Sequence, residues 1–316
     1  MQARIDEVLL GGSRKYTRLD VAARAGVPPE QTHRLWRALG FASATDTDVV
    51  FTDADVEAAK LGNQLLEYGL IDRMTDTAMT RALGHHLSRL AEWQVQLVWS
   101  WLGQQPDVAR DERQLENLIE MAVPMMERLQ NYVWRRHLAA YAGRTLATSE
   151  DELESRNQGV GFVDMVGYTR MTRRIDQDRL GTVLDRFEEA AGGVIAERRG
   201  HVVKMIGDEV LFVADTPEDA ADIALALTEL VEQDEEIPEV RTGLAYGQIL
   251  SRFGDVYGSV VNLAARLTSV ARPGTILIDQ GLADALADDP GYELRYRRPV
   301  SVRGYKRLRP VVLRRG

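Results

Sequence analysis

Asp164 lies near the end of the apolar run 160–166, with Gly167 just beyond it. Asp208 stands in the dipeptide Gly207-Asp208, between the apolar runs 202–206 and 210–213. If these runs are neighbouring strands, the two carboxylates meet at one sheet edge, where they could share two divalent cations for in-line phosphoryl chemistry. Free backbone N–H groups at a helix start after Gly167 would suit a metal-bound triphosphate. Asn262 and Arg266 are four residues apart in a helical segment, so they project on one face toward one ligand. Lys204 adds a cationic donor and Asp255 an acceptor. Taken singly these are ordinary features, since Asp164 would also serve as a helix N-cap and Gly-Asp is a common hairpin turn.

The elements that must position these residues follow from hydrophobic period. Beyond residue 157 the pattern alternates between short apolar strands and amphipathic helices. Strands are expected at 160–166, at 201–213 turning through Gly207-Asp208, at 240–250, at 275–278 and after Tyr292. Helices are expected at 178–199, 217–232 and 259–270. This order predicts an α+β domain with a sheet layered by helices, of the ferredoxin-like kind with a βαβ palm.

With 316 residues and 45% hydrophobic composition, the chain can form two domains, each with a core. It contains no Cys, which removes disulfides, thiolate nucleophiles and Cys-based metal centres and fits a reducing compartment. The first ten residues lack a signal-peptide core, and no window approaches an uncharged span of roughly 20 residues. A cytoplasmic, soluble protein without a transmembrane segment is expected. The net charge of -9 argues against chain-wide attraction to nucleic acid or anionic lipid.

Together, the segments Phe162-Val163-Asp164-Met165-Val166-Gly167-Tyr168-Thr169, Lys204-Met205-Ile206-Gly207-Asp208 and 255–266 resemble those of class III adenylate cyclases. The resemblance covers about residues 157–316. It implies a homodimer of catalytic domains, head to tail, converting ATP to 3',5'-cyclic AMP and pyrophosphate at sites shared across the interface. Asp164 and Asp208 would hold two Mg²⁺ or Mn²⁺ ions from one protomer. From the other, Lys204 and Asp255 would bind the adenine edge, Asn262 would orient the ribose and Arg266 would stabilise charge on the α-phosphate. The chemistry of the pair agrees, because Lys can donate to adenine N1 and Asp can accept from its 6-amino group, whereas guanine presents the opposite pattern. Arg303, in Val302-Arg303-Gly304-Tyr305-Lys306, is the candidate for a triphosphate-binding cation, with Lys306 in reserve. Gly243-Leu244-Ala245-Tyr246-Gly247 resembles the family's strand-turn segment and is expected to be structural. Gly207-Asp208-Glu209 does not complete the diguanylate cyclase signature, because no second Gly precedes the acidic pair.

Residues 1–147 read as an all-α regulatory domain, joined by a polar, acidic linker at 148–157 to a catalytic domain at 158–316. The whole arrangement resembles two-domain actinobacterial cyclases whose N-terminal domain restrains catalysis. Within it, 15–41 reads as a helix-turn-helix, with helices at 19–26 and 29–39, resembling the opening of a MerR-type DNA-binding domain. Gln31, Thr32, Arg34 and Arg37 would then face a major groove. This supports an alternative, a DNA-binding regulator using the cyclase domain as nucleotide sensor or dimeriser. Two long helices are expected at 74–102 and 115–146. Their apolar residues exceed one stripe and leave room for a sister chain or for a small-molecule or lipid regulator. His85, His86 and His137 are candidates for a pH input.

Overall fold

The computed structural model describes residues 2–146, 157–302 and 304–316. The chain divides into two compact units, Met1–Arg144 and Thr145–Gly316.

The first unit is helical: α1 (Gln2–Leu9), α2 (Arg18–Ala25), α3 (Pro29–Ala38), α4 (Asp53–Glu67), α5 (Arg73–Gly103), α6 (Pro106–Arg110) and α7 (Glu112–Leu146). A capping box starts α2, in which the Asp20 N–H donates to Thr17 Oγ1 at 3.2 Å and the Thr17 N–H to Asp20 Oδ2 at 2.9 Å. Pro29 at the first turn of α3 wastes no donor, because that N–H has no partner within the helix. Val21, Phe51 and Val56 form a small core with Trp36 against it. The Trp36 indole donates to the Ala42 carbonyl at 2.7 Å, which satisfies its only polar atom.

The helix-turn-helix expected at 15–41 is present, but its second helix does not offer the set of residues required to read DNA. α3 packs against α2 and α5, and Gln31 and Thr32 are buried. Arg37 remains exposed, and the Nε of Arg34 is enclosed without a partner. Opposite, on α5, Asp76 is 2% exposed and one of its carboxyl oxygens is unpartnered.

Burial pushes the Asp76 carboxyl above the usual carboxylate range, and the Arg34 charge only partly opposes it. The folded state therefore holds this proton to higher pH than the unfolded state, so stability falls as pH rises through the raised pKa and returns on acidification. Asp76→Asn is expected to raise the melting temperature at pH 7 to 8 by roughly 2–4 °C, with the gain vanishing toward about pH 4. Calorimetry across pH checks this. A loss at pH 7 to 8 that disappears on acidification would mean that the pairing with Arg34 outweighs the burial.

The second unit runs β1 (Asn157–Met165), α8 (Tyr168–Met171), α9 (Gln177–Glu197), β2 (His201–Ile206), β3 (Glu209–Ala214), α10 (Pro217–Glu232), β4 (Val240–Gln248), β5 (Leu250–Arg252), β6 (Asp255–Tyr257) and α11 (Ser259–Val270). It continues with β7 (Ile276–Ile278), α12 (Gln280–Leu286), β8 (Tyr292–Tyr296), β9 (Val300–Val302), β10 (Tyr305–Leu308) and β11 (Val311–Arg315). Seven strands form one mixed sheet in the order β2-β3-β1-β4-β7-β11-β8, with β5–β6 and β9–β10 as separate ribbons. β1 pairs antiparallel with both β3 and β4, and α11 crosses over to make β7 parallel to β4.

Alternation along each strand divides the core between two sheet faces. Val163, Met165, Val210 and Phe212 face α9, α10 and α12 in the larger cluster. Val160, Phe162, Leu211 and Ala245 face the other way, toward Ala264 of α11. The fold is the layered α+β domain expected, preceded by an all-α region.

Candidate active site

Antiparallel pairing sets Asp164 opposite Glu209 on one neighbouring strand and opposite Arg241 on the other. By alternation with Val160 and Phe162, this row of three faces the α11 side of the sheet. Next to it, Gly207-Asp208 closes the two-residue turn between β2 and β3. Gly207 has φ 62°, a conformation that glycine adopts without steric cost. The Met165 N–H donates to the Asp208 carbonyl at 2.9 Å and ties this turn to the end of β1. The structure thus brings the two predicted carboxylates together across 44 residues of sequence, 208 − 164.

Their electrostatics suit a cation. Burial pushes the Asp208 carboxyl up, its own backbone N–H opposes this, and the charge of Asp164 with the hydrogen bond the two carboxyls share raises it further. Glu209 is raised by burial and then by the charges of Asp164 and Asp208, against Arg241 and Lys204. Arg241 is the counter-ion present, its Nε donating to Asp164 Oδ2 at 2.5 Å. Two crowded carboxylates with a single guanidinium fit a divalent ion. Among the described residues no group of three or more His, Asp or Glu is arranged to hold a metal alone. That suits Mg²⁺, which commonly takes one or two carboxylates and completes its shell with phosphate oxygens and water.

Lys204 and Asp255 are brought together from β2 and the β5–β6 ribbon, with Lys204 Nζ donating to Asp255 Oδ2 at 2.7 Å. Burial raises the Asp255 carboxyl, but the Lys204 bond, the Val256 N–H on Oδ1 and the Lys204 charge outweigh it, leaving Asp255 below its ordinary value. Asn262 and Arg266 share the face of α11 that points away from the sheet, while Ala264, Leu267 and Thr268 turn toward it. A Cβ at Gly243 would collide with Ala264 and Thr268, so this glycine lets α11 lie directly on β4. The structural role expected for the 243–247 segment is thereby explained. Among the described residues, no hydrogen bond or ion pair engages the side chains of Asn262 or Arg266, and none links them to Asp164 or Asp208. Arg303 lies outside the described residues, and Lys306 is on β10.

Sequence reasoning missed Arg241 and Glu209. Both are charged residues in otherwise apolar strands, a signal that was visible, but only strand register shows that they flank Asp164.

Residues 152–315 match the family model of the adenylate and guanylate cyclase catalytic domain. The chain belongs to this family. It is a cyclase enzyme, and its relatives extend beyond the catalytic half. An adenylate cyclase of Streptomyces coelicolor is 40% identical over 285 residues, covering 90% of this cyclase and 74% of its own length. An adenylate cyclase of Glutamicibacter nicotianae is 36% identical over 331 aligned residues, covering 99% and 82%. A Mycobacterium tuberculosis protein named as a pH-sensitive adenylate cyclase is 31% identical over 300 residues, covering 91% and 75%. No described helix of the cyclase is long and apolar enough to cross a membrane.

Proposed function

We propose that this cyclase converts ATP to 3',5'-cyclic AMP and pyrophosphate at sites shared by two copies of residues 158–316. The observation that carries the ATP preference is the Lys204–Asp255 pair. Held together at 2.7 Å, it presents a donor beside an acceptor, the complement of adenine N1 and its 6-amino group. The named relatives, which are adenylate cyclases, support the same substrate.

In this reading Asp164 and Asp208 hold two Mg²⁺ or Mn²⁺ ions. When bound, these ions acidify the ribose 3'-OH and neutralise the phosphates. Arg241, half-exposed beside Asp164, would be left free to meet phosphate oxygens when a cation occupies that carboxylate. Lys204 and Asp255 orient the base, Asn262 the ribose, and Arg266 faces the α-phosphate, where negative charge grows as the 3'-oxygen attacks. The new bond joins O3' to the α-phosphorus, the bond to the β-phosphate oxygen breaks, and the 3'-proton passes to solvent. Arg303 is assigned to the departing triphosphate end. In the same reading the enzyme works in the cytoplasm, and residues 1–147 act as a regulatory domain connected through the 148–157 linker.

Turnover of ATP and GTP with Mn²⁺ tests the assignment. Cyclic AMP should form in clear preference to cyclic GMP, and Lys204→Glu should cut the ATP rate by on the order of 10²-fold, since it replaces the donor to N1 with a repelling acceptor. Equal use of both nucleotides by the unaltered protein, or an unaffected preference in Lys204→Glu, would remove the pair from base recognition.

A further inference from the structure

Glu209 opens β3 as a charged residue ahead of the apolar run Val210-Leu211-Phe212-Val213. It is partly buried, and both its burial and the charges of Asp164 and Asp208 oppose its ionised form. A carboxylate so placed lowers stability unless it meets a partner. Among the described residues, no hydrogen bond or ion pair engages its side chain. Direct metal ligation does not fit, because no group of three or more acidic or His side chains is arranged to hold an ion there.

Two cations act on Glu209, Arg241 and Lys204. They differ in what they still lack. Arg241 already directs its Nε and an Nη to Asp164, both at 2.5 Å. Lys204 has three N–H donors, one of which goes to Asp255 at 2.7 Å. Strand register brings Glu209 within reach of the other two. Lys204 pairs with Leu211, and Glu209 stands two residues before Leu211 on the same face of the sheet. Such diagonal neighbours are about 7–8 Å apart, a span that two long side chains close together.

We infer that Glu209 positions Lys204 for adenine recognition. The inference rests on the reading of Lys204 and Asp255 as the base-binding pair. Held by Asp255 alone, the ammonium turns about that one bond. A second acceptor stops the rotation and aims the remaining N–H at adenine N1. Asp255 is also short of acceptor capacity once the 6-amino group arrives. Its Oδ1 takes the Val256 N–H at 2.8 Å, so Oδ2 must serve both the amino group and Lys204. Glu209 then keeps the ammonium on the β2 side while the base docks. It acts through Lys204 and touches no atom of the substrate.

The test changes one atom of the base. In 1-deaza-ATP a C–H replaces N1, which removes the acceptor for Lys204 and leaves the 6-amino group, ribose and triphosphate in place. With Mn²⁺, the unaltered full-length protein should show a kcat/KM for ATP about tenfold or more above that for 1-deaza-ATP, as expected for a hydrogen bond from a charged donor. In Glu209→Leu the ratio should shrink to within about threefold, through a higher KM for ATP. Glu209→Gln keeps the shape and a weaker, neutral acceptor, so its ratio should fall between the two. It carries the test if the Leu variant does not fold, with melting temperatures measured for both. Loss of rate by the same factor with both nucleotides would overturn the inference and assign Glu209 to the metals or to the fold. An unchanged ratio in both variants would overturn it as well. An unaltered protein that does not distinguish the two nucleotides would place the failure in the Lys204–N1 reading itself, and the inference falls with it.

Discussion

Asp208→Ala should lower cyclic AMP formation by on the order of 10³-fold, because a metal that polarises the nucleophile and the phosphates supplies several kcal/mol of transition-state stabilisation. The same substitution should make the metal-free protein more stable. Burial and the charge of Asp164 hold the Asp208 pKa above its ordinary value, so keeping this group ionised at neutral pH costs folding free energy. By linkage that cost is absent at pH below the unfolded-state value and appears as pH rises through the raised one. In the unaltered protein, Mn²⁺ relieves the repulsion and should raise the melting temperature at pH 7.5. In Asp208→Ala the metal-free melting temperature should start a few degrees higher and respond little to Mn²⁺. Retention of activity to within about tenfold, together with an unchanged Mn²⁺ shift, would exclude Asp208 from the metal set.

Mixing two inactive variants should restore activity. Arg266→Ala alone should lose on the order of 10²-fold or more, as expected for removal of a preorganised charge facing the α-phosphate. If each site takes Asp208 from one protomer and Arg266 from the other, a heterodimer of Asp208→Ala with Arg266→Ala carries one site with both defects and one with neither. Random exchange of equal amounts makes about half the dimers mixed, so activity should rise to about a quarter of the unaltered enzyme. The geometry behind this expectation is local. Arg266 and Asn262 point away from the sheet, whereas Asp164 stands on the sheet surface beneath the α11 layer and is engaged by Arg241. Subunit exchange can be followed with two tags of different size. Activity equal to the sum of the separate variants, once exchange is complete, would place the whole site within one chain.

A site shared in this way is sensitive to anything that alters how two copies meet. His85 and His86, set edge to face at 5.4 Å on α5, and His137 on α7 are exposed groups of the N-terminal unit. They are the natural first substitutions once an input is sought.

Much of the catalytic half was legible before folding was considered. The 217–232 and 259–270 helices and the strand pair turning through Gly207-Asp208 were read at or within a residue or two of their ends, because amphipathic period and turn chemistry are local properties of the chain. Other elements were not found, among them α4, whose only buried residue is Val56, and the short α12 and β5–β6 ribbon. Their periods are too brief, or their faces too exposed, to stand out. In the N-terminal unit the sequence marked a helix-turn-helix but could not show which face of α3 would be covered, and packing against α5 buried Gln31 and Thr32.

The chain's residue types determined by themselves which chemistry was available: two carboxylates, a Lys/Asp pair and an Asn/Arg pair one helical turn apart. What tertiary structure decided was who meets whom. Arg241 reaches Asp164 across 77 positions and Lys204 reaches Asp255 across 51. Such contacts depend on strand order and register, which are set by how whole faces pack, and no local pattern carries that information.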